Sequence, residues 1–405
     1  MSDIRVVGSI DIGHQSIKAV VARVTGEAVE VKGAGKALTR GLQDGKVVDI
    51  EALGKAVRQA LDEAQFSAGQ AVSRVVVTIS PRAKRGSSVE VELPIKGRKV
   101  TQSDVAQIMR LARQMPAGSA DAVMHTEVHE FVVDEQGGID NPVDMTASSL
   151  RLRGYNITAP AVDLDCVRRA VSKCNVEILR IVQEVHASGF SVLDPAERDL
   201  GVVLVSFGAD TTKIAIWAGG VLVRNATIPE GGGAMTNSLA VAGPFTSRVA
   251  ERVKTEYGVA SVAAGSNENG VQVPSRGRGQ ISVTTSFVAS ILEPHVFEIL
   301  RVVRRELELS GYSDMLKAGT VLTGGAAALP HIDEVAHQVL GGLVRVGHPH
   351  SVTGISDLVR NPEYAAATGA LQMLCESDAS HLYDPDAENA RTLGAQVRQL
   401  LNWLF

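Results

Sequence analysis

Residues 202–217 read VVLVSFGADTTKIAIW, which is an apolar segment, a polar turn that contains glycine, and a second apolar segment. Residues 6–24, VVGSIDIGHQSIKAVVARV, have the same order of features, and Gly13 corresponds to Gly208. Short apolar segments on both sides of a glycine turn predict a β-hairpin. Because the hairpin recurs far along the chain, we predict two related halves, each beginning with such a hairpin.

The two turns carry groups that bind anions. Successive backbone N–H groups in a glycine turn form a concavity for anions, hydroxyls from Ser16, Thr211 and Thr212 add donors, and Lys18 adds positive charge. Each hairpin taken alone is more simply explained as an ordinary piece of a sheet. The repetition instead favours two turns that face each other across a cleft, and the natural ligand of such a cleft is a polyphosphate.

A third glycine turn and one helical segment add to this hypothesis. Residues 321–328, VLTGGAAA, predict a strand that runs into a glycine pair and then into a helix, whose N-terminus would suit a phosphate. Residues 245–254, FTSRVAERVK, predict a helix with Glu251 and Lys254 on one face. The simpler interpretation of that pair is a solvated surface contact.

Length and charge limit the function classes. A chain of 405 residues predicts two or more domains, and a net charge of −5 with mixed signs argues against nucleic acid as a partner. The three cysteines lack metal-binding spacing, which favours a reducing compartment. Neither a signal peptide nor an apolar stretch long enough to span a bilayer is recognisable, so we expect a cytoplasmic protein.

These motifs resemble those of the actin, sugar kinase and DnaK-type ATPase superfamily, and within it most closely the FtsA family of bacterial cell-division proteins. Residues 11–16 (DIGHQS) resemble the first phosphate motif, residues 206–212 (SFGADTT) the second, and residues 323–326 (TGGA) the adenosine motif. Residues 124–134 (MHTEVHEFVVD) and 141–145 (NPVDM) resemble the subdomain inserted in FtsA. The resemblance covers nearly the whole chain.

The resemblance implies an α/β, actin-like two-lobed fold with duplicated core subdomains, an FtsA-type inserted subdomain and a C-terminal amphipathic helix. The expected boundaries are 1–81, 163–198 and 355–375 for core subdomain 1A, 82–162 for inserted subdomain 1C, 199–236 and 311–354 for subdomain 2A, 237–310 for subdomain 2B, 376–390 for a linker and 391–405 for a membrane-targeting helix.

The resemblance also implies that ATP and Mg²⁺ bind between the lobes. Asp11 would hold the Mg²⁺ through water, and in the family a Glu and a Lys placed like Glu251 and Lys254 approach the ribose and adenine. The candidate nucleotide-binding residues are Asp11, Gly13, His14, Gln15, Ser16, Lys18, Gly208, Ala209, Thr211, Thr212, Gly232, Glu251, Lys254, Gly324, Gly325 and Ala326.

The second phosphate motif departs from the family, which has Asp where Ser206 stands and Gly-Gly where Ala209 and Asp210 stand. In the superfamily two opposed aspartates hold the hydrated Mg²⁺ and position the attacking water, and a hydroxyl supplies neither charge nor base. We therefore expect weak ATP binding and at most residual ATPase activity. The alternative is that Asp210 shifts toward the Mg²⁺ and replaces the missing carboxylate.

A second departure concerns the surface that binds the C-terminal peptide of FtsZ in the family. The family pattern Glu-Pro-Arg-x-x-Glu is matched by residues 293–298, EPHVFE, so His295 and Glu298 are the candidate partner contacts. Histidine is largely neutral at pH 7, which would weaken a contact with the carboxylates of the peptide. The alternative is a helix surface without a partner.

The C-terminal residues 393–405, LGAQVRQLLNWLF, predict an amphipathic helix after an acidic linker. Terminal Trp and Phe suit the headgroup boundary of a bilayer, although docking on the protein's own core is the alternative. The candidate membrane-contacting residues are Leu393, Val397, Leu400, Leu401, Trp403, Leu404 and Phe405.

Together these features predict a filament-forming division protein at the inner face of the cytoplasmic membrane. It would tether the FtsZ ring at the division site and recruit other division proteins. Its expected partners are the FtsZ C-terminal peptide, further copies of itself, other division proteins and membrane lipid. A pilus-assembly adaptor related to FtsA and an ATPase or kinase of the superfamily stay open as alternatives.

Overall fold

The computed structural model describes residues 5–26, 28–43, 45–81, 86–115, 120–265, 270–277 and 279–376. One compact unit combines Met1–Gly86 with Ala159–Cys375, and a smaller one contains Ser87–Thr158. The predicted linker after residue 376 and the predicted membrane helix lie outside the described residues. The same holds for all its candidate membrane residues: Leu393, Val397, Leu400, Leu401, Trp403, Leu404 and Phe405.

The described part of the chain contains both strands and helices. Its strands are β1 (Arg5–Ile12), β2 (Ser16–Thr25), β3 (Ala28–Leu38), β4 (Leu42–Gln43), β5 (Lys46–Val47), β6 (Arg74–Ile79), β7 (Gly86–Lys99), β8 (Asp121–Val133), β9 (Gln136–Ile139), β10 (Thr146–Pro160), β11 (Glu177–Gln183), β12 (Val202–Phe207), β13 (Thr212–Ala218), β14 (Val221–Ile228), β15 (Val271–Pro274), β16 (Gln280–Val283), β17 (Thr320–Thr323), β18 (Val344–Val346) and β19 (Val352–Gly354). Its α-helices are α1 (Ile50–Ala68), α2 (Gln102–Gln114), α3 (Ala161–Ser172), α4 (Glu184–Val192), α5 (Pro195–Leu200), α6 (Gly232–Ala242), α7 (Ser247–Tyr257), α8 (Thr285–Ser310), α9 (Ile332–Leu340) and α10 (Ala365–Glu376).

Both hairpins that the repeat predicts are present, one in each of the two main sheets of the larger unit. The first sheet has the order β11-β6-β1-β2-β3-β19 and the second has the order β14-β13-β12-β17-β18. In the first hairpin Asp11 lies opposite Lys18, and in the second Ser206 lies opposite Lys213. A parallel neighbour follows in each half, because β6 pairs with β1 and β17 pairs with β12. The two halves therefore share one strand arrangement.

Helix α1 packs on the first sheet with almost no side chain between the two backbones. A Cβ added to Gly33 would lie 2.4 Å from the backbone oxygen of Ala64, and one added to Gly35 would lie 2.2 Å from that of Ala60. Helix α1 begins with Asp49 as its N-cap. Glycine at both strand positions thus permits direct contact between the strand and the helix.

The second half buries its apolar side chains among α6, α7, α8 and the second sheet. Phe207, Leu239, Val253, Leu292 and Leu322 belong to one buried cluster. The long helix α8 covers this cluster and ends at a glycine in the left-handed conformation, as helices commonly do. Among the helices of the described ranges, none is both long and apolar enough to cross a membrane.

The smaller unit has its own sheet, of order β7-β10-β8-β9, and its own core with α2. Thr101 and Asp104 form a capping box at the start of α2, and two guanidinium nitrogens of Arg98 each lie 2.7 Å from an oxygen of Asp104. Arg98 holds the pKa of Asp104 well below its usual range. Ile108 and Leu150 are fully buried in the core of this unit, which supports its treatment as a separate module.

Candidate nucleotide cleft

The turns of both hairpins line one cleft in the larger unit, together with the glycine turn after β17. The predicted site residues in its lining are Asp11, Gly13, His14, Gln15, Ser16, Lys18, Gly208, Ala209, Gly324 and Gly325. The lining also contains residues outside the predicted set, namely Ser80, Glu184, Ser206, Pro362, Glu363 and Ala366. The structure therefore brings the two predicted phosphate turns to the same cleft.

The turns of the two predicted phosphate motifs share one tight backbone contact. A Cβ on Gly13 would lie 2.8 Å from the backbone oxygen of Ser16, and a Cβ on Gly208 would lie 2.8 Å from that of Thr211. Neither position accepts a side chain without a shift of the turn. Two glycine turns of this kind in one cleft fit the phosphates of a nucleotide.

Asp11 is the carboxylate of the first half, and both of its oxygens are already bonded. The Thr78 hydroxyl donates to Oδ1 at 2.7 Å, and Lys18 Nζ donates to Oδ2 at 3.2 Å. Asp11 and Lys18 are both buried, so the ammonium balances much of the carboxylate charge. Asp11 fits a Mg²⁺ held through water better than one held directly.

A carboxylate stands beside Ser206 in the second half, but it comes from another element. The Ser206 hydroxyl donates to Glu184 Oε1 at 2.6 Å, and Glu184 is the first residue of α4. Burial raises the pKa of Glu184, and Lys213 and the Ser206 hydroxyl act against that rise. The expectation that a hydroxyl at position 206 leaves this side of the cleft without a carboxylate is therefore corrected.

Sequence reasoning missed Glu184, although a signal for it existed. Glu184 directly follows β11, which lies parallel to β6, and β6 lies parallel to β1. The carboxyl ends of parallel strands meet at one sheet edge, where ligands commonly bind. A polar residue at the end of β11 could thus have been expected at the sheet edge that carries Asp11.

Lys213 is a buried lysine on β13 of the second half. Its Nζ donates to Thr211 Oγ1 at 2.9 Å, and its relative exposure is 1%. Burial lowers the pKa of Lys213 to about 8, and the carboxylates of Glu184 and Asp11 limit the decrease. The second half keeps the lysine of the hairpin repeat while its carboxylate is supplied by α4.

Three further residues of the second phosphate motif lie behind or beside its turn. Asp210 is exposed and is not among the described residues that line the cleft; its Oδ1 would lie 3.5 Å from a Cβ on Gly233. Thr211 and Thr212 are buried, and the Thr212 hydroxyl donates to the backbone oxygen of Glu230 at 2.9 Å. Neither threonine is among the described residues that line the cleft.

The residues predicted for the adenosine side lie together next to the start of α6. Lys254 Nζ lies 2.9 Å from the Gly232 backbone oxygen and 2.8 Å from Glu251 Oε2, and a Cβ on Gly232 would lie 3.0 Å from Ala326 Cβ. Burial acts to raise the pKa of Glu251, but Lys254 and hydrogen bonds from other side chains, including Gln15, hold it below its usual value. Gln15, which belongs to the first turn, thus lies near Glu251 of the second half.

The glycine turn after β17 differs from the sequence expectation in one respect. Only a short 3₁₀ turn, Gly325–Ala328, follows Gly324, and the next α-helix begins at Ile332. Gly324 has φ 87° and ψ 170°, a region that is essentially restricted to glycine. The turn therefore approaches the cleft through its backbone and not through the N-terminus of an α-helix.

The two candidate partner contacts lie on α8, outside this cleft. His295 Nε2 lies 2.8 Å from Ser238 Oγ on α6, and His295 Nδ1 lies 3.3 Å from Glu230 Oε1. Glu298 is exposed and follows three residues later, so it shares a helix face with His295. His295 is thus in contact with its own chain at the predicted partner surface.

Comparison with protein-family models finds two matches. Residues 203–369 match the model described as "Cell division protein FtsA", and residues 84–158 match "SHS2 domain inserted in FTSA". A cell division protein FtsA from Pseudomonas aeruginosa is 34% identical and aligns over 91% of this chain and 88% of its own length. The FtsA of Escherichia coli K12 is 30% identical over 100% of this chain and 98% of its own length.

Solved structures confirm the predicted actin-like fold. The PilM-PilN type IV pilus biogenesis complex contains a chain with a TM-score of 0.64 at 16% identity, covering 91% of this chain and 98% of that one. MreB5 of Spiroplasma citri bound to ADP has a TM-score of 0.54 at 12% identity, covering 92% of this chain and 98% of its own. At such low identity these likenesses concern the fold alone.

Proposed function

We propose, since this chain belongs to the FtsA family of cell division proteins, that it is a filament-forming adaptor which tethers the FtsZ ring to the inner face of the cytoplasmic membrane. The observation that carries the proposal is the alignment with FtsA relatives at 30% identity or more along nearly the full chain. The adaptor would bind the FtsZ C-terminal peptide at His295 and Glu298 on α8. It would bind lipid through residues 391–405.

ATP is the ligand that we propose for the cleft, with weak affinity and little or no hydrolysis. The paired glycine turns support phosphate binding, and Lys254 supports the backbone of Gly232 on the adenosine side. Lys18 already offsets the charge of Asp11, so Asp11 attracts a Mg²⁺ less strongly. Glu184 is the observation that favours the second candidate, an ATPase, because it adds a carboxylate to the cleft.

ATP with Mg²⁺ is expected to raise the melting temperature only slightly. At a concentration equal to Kd a ligand stabilises the folded state by about 0.4 kcal/mol, which corresponds to about 1 °C or less. Lys254→Met should remove the shift because Gly232 and Thr236 lose a donor, whereas Lys55→Met, on the exposed side of α1, should keep it. Differential scanning fluorimetry across an ATP series measures both.

The same samples distinguish the adaptor from an ATPase. We expect phosphate release at no more than a trace rate above that in buffer. Turnover clearly above that rate, abolished by Asp11→Ala, would favour the enzyme and contradict our proposal.

Membrane attachment is the test of the proposed adaptor function. The full chain should sediment with liposomes and form filaments on them, whereas a chain that ends at Ala390 should stay in the supernatant. One helix should bind weakly, because partial insertion recovers only part of the roughly 1.5 to 3 kcal/mol available per large apolar side chain. A filament joins many helices on one surface, which multiplies their modest affinities.

A pair of point variants controls for the length of the chain. Leu400→Glu places a carboxylate in the predicted apolar stripe and should reduce sedimentation about tenfold, the effect of 1.4 kcal/mol. Gln399→Glu places the same group on the opposite face and should sediment almost as the natural chain does. Equal sedimentation of the full and shortened chains would rule out the tail as the anchor.

Other division proteins have a candidate docking surface in the smaller unit. A groove of 190 Å³ lies between α2 and the sheet, and Val105, Met109, Val128 and Phe131 are among its lining residues. The same groove would serve the alternative function of a pilus-assembly adaptor. We favour division partners because the relatives that align along the chain are FtsA proteins.

A further inference from the structure

Both ring nitrogens of His295 have partners within the protein. Nε2 lies 2.8 Å from Ser238 Oγ, and Nδ1 lies 3.3 Å from Glu230 Oε1. A neutral ring with its proton on Nδ1 satisfies both contacts, because Nδ1–H donates to Glu230 while Nε2 accepts from the Ser238 hydroxyl. A carboxylate from another molecule must therefore compete with Glu230 for Nδ1–H.

The backbone that carries Glu230 is attached to the second phosphate turn. The Glu230 backbone oxygen accepts from the Thr212 hydroxyl at 2.9 Å. Just after Glu230, the Gly232 N–H donates to the Gly208 oxygen at 2.9 Å and the Gly233 N–H donates to the Ala209 oxygen at 2.7 Å. Any shift of the turn at Gly208 is therefore transmitted directly to the segment that begins at Glu230.

We propose that Glu230 is an internal competitor of the acidic peptide for His295 and that it couples the cleft to the docking face of α8. The inference rests on the proposed docking at His295 and Glu298. The Glu230 carboxylate contacts the His295 imidazole as a peptide carboxylate would. The Glu230 backbone is bonded to the second phosphate turn. A nucleotide that moves the turn changes the hold of Glu230 on His295 and thereby the affinity for the peptide.

The probe is a fluorescein-labelled synthetic peptide with the sequence of the FtsZ C-terminus from the same organism, titrated with the full chain. Glu230→Gln should tighten peptide binding about two- to fivefold, a change of about 0.4 to 1 kcal/mol, since the amide accepts a weaker hydrogen bond from Nδ1–H than the carboxylate does. Glu308→Gln is the matched control, because Glu308 lies on the same helix as His295 and its carboxylate bonds Arg304 at 3.0 Å. It should leave the affinity unchanged.

Coupling to the cleft is tested by repeating the titration with ATP and Mg²⁺. The natural chain should show a peptide affinity that depends on ATP, and by thermodynamic reciprocity the peptide should change the ATP affinity by the same factor. Glu230→Gln should reduce this factor toward one. An equal ATP effect in both proteins would overturn the role of Glu230 as the link.

The docking hypothesis and the Glu230 hypothesis fail in different ways. If His295→Ala or Glu298→Ala weakens binding while Glu230→Gln matches the natural chain, docking stands and competition by Glu230 is refuted. If the peptide binds neither the natural chain nor the Glu230→Gln variant, both ideas are refuted. Binding that becomes measurable only in Glu230→Gln would support both.

Discussion

Ser206→Asp is expected to destabilise the protein by about 3 kcal/mol at pH 8, the order found for an uncompensated buried charge, and to create no ATPase. The natural hydroxyl donates to Glu184 Oε1 at 2.6 Å, so the introduced carboxylate would meet a second carboxylate at the same place. Two carboxylates in one site cannot both ionise without a large penalty. Urea unfolding followed by circular dichroism gives the change in free energy of unfolding.

The matched control exchanges the two groups. In Ser206→Asp combined with Glu184→Ser, the carboxylate stands on β12 and the hydroxyl on α4, so the hydrogen bond can form in reverse. We expect this double variant to recover most of the lost stability. A stable Ser206→Asp single variant that hydrolyses ATP would show that the Ser206–Glu184 contact does not govern the site.

The pH dependence of the single variant follows from the sign of the pKa shift. Burial already raises the pKa of Glu184, and a neighbouring carboxylate raises it further. A raised folded-state pKa gives stability that is present below the unfolded value and is lost as pH rises through the folded value. The deficit relative to the natural chain should therefore be smaller at pH 5 than at pH 8.

Gly324→Ala is expected to reduce the free energy of unfolding by about 3 kcal/mol and to prevent the ATP-dependent shift in melting temperature. The backbone at Gly324 has φ 87°, and a non-glycine residue held in this region costs about 1 to 3 kcal/mol. The added Cβ would also lie 2.6 Å from the backbone oxygen of Phe207, directly before the second phosphate turn. Unfolding in urea and fluorimetry with ATP measure the two effects.

Gly325→Ala is the control for the same added methyl group. At Gly325 the nearest atom to an added Cβ is Glu363 Cβ at 3.9 Å, an ordinary contact. The change should stay within about 0.5 kcal/mol, as is usual for substitutions that meet no special feature. Equal losses in the two variants would mean that the position of the methyl group does not matter, contrary to our explanation.

The duplicated hairpins could be predicted from the sequence because their information is local. Each hairpin places two apolar runs around a turn, and the repeat by itself aligns Ser206 with Asp11. Glu184 could not be found in this way, since its proximity to Ser206 depends on how β11 joins the first sheet and on how the two halves meet. Motif comparison shows that the second turn lacks the family's Asp. The carboxylate beside Ser206 is that of Glu184, which belongs to a different segment.

The contacts of His295 are a second feature that the sequence could not predict. The sequence pattern predicted a docking helix and showed histidine where the family pattern has arginine. Glu230, the proposed competitor, lies 65 positions earlier in the chain, and only the folded structure brings its carboxylate to His295. A substitution at one surface position is therefore understood only together with its neighbour in space.

The direct contact of α1 with β3 at Gly33 and Gly35 has a mechanical consequence. Backbone atoms that touch leave no rotatable side chain to absorb a displacement, so helix and strand move as one stiff body. Helix α1 and the first sheet should thus transmit an applied force without deforming where they touch.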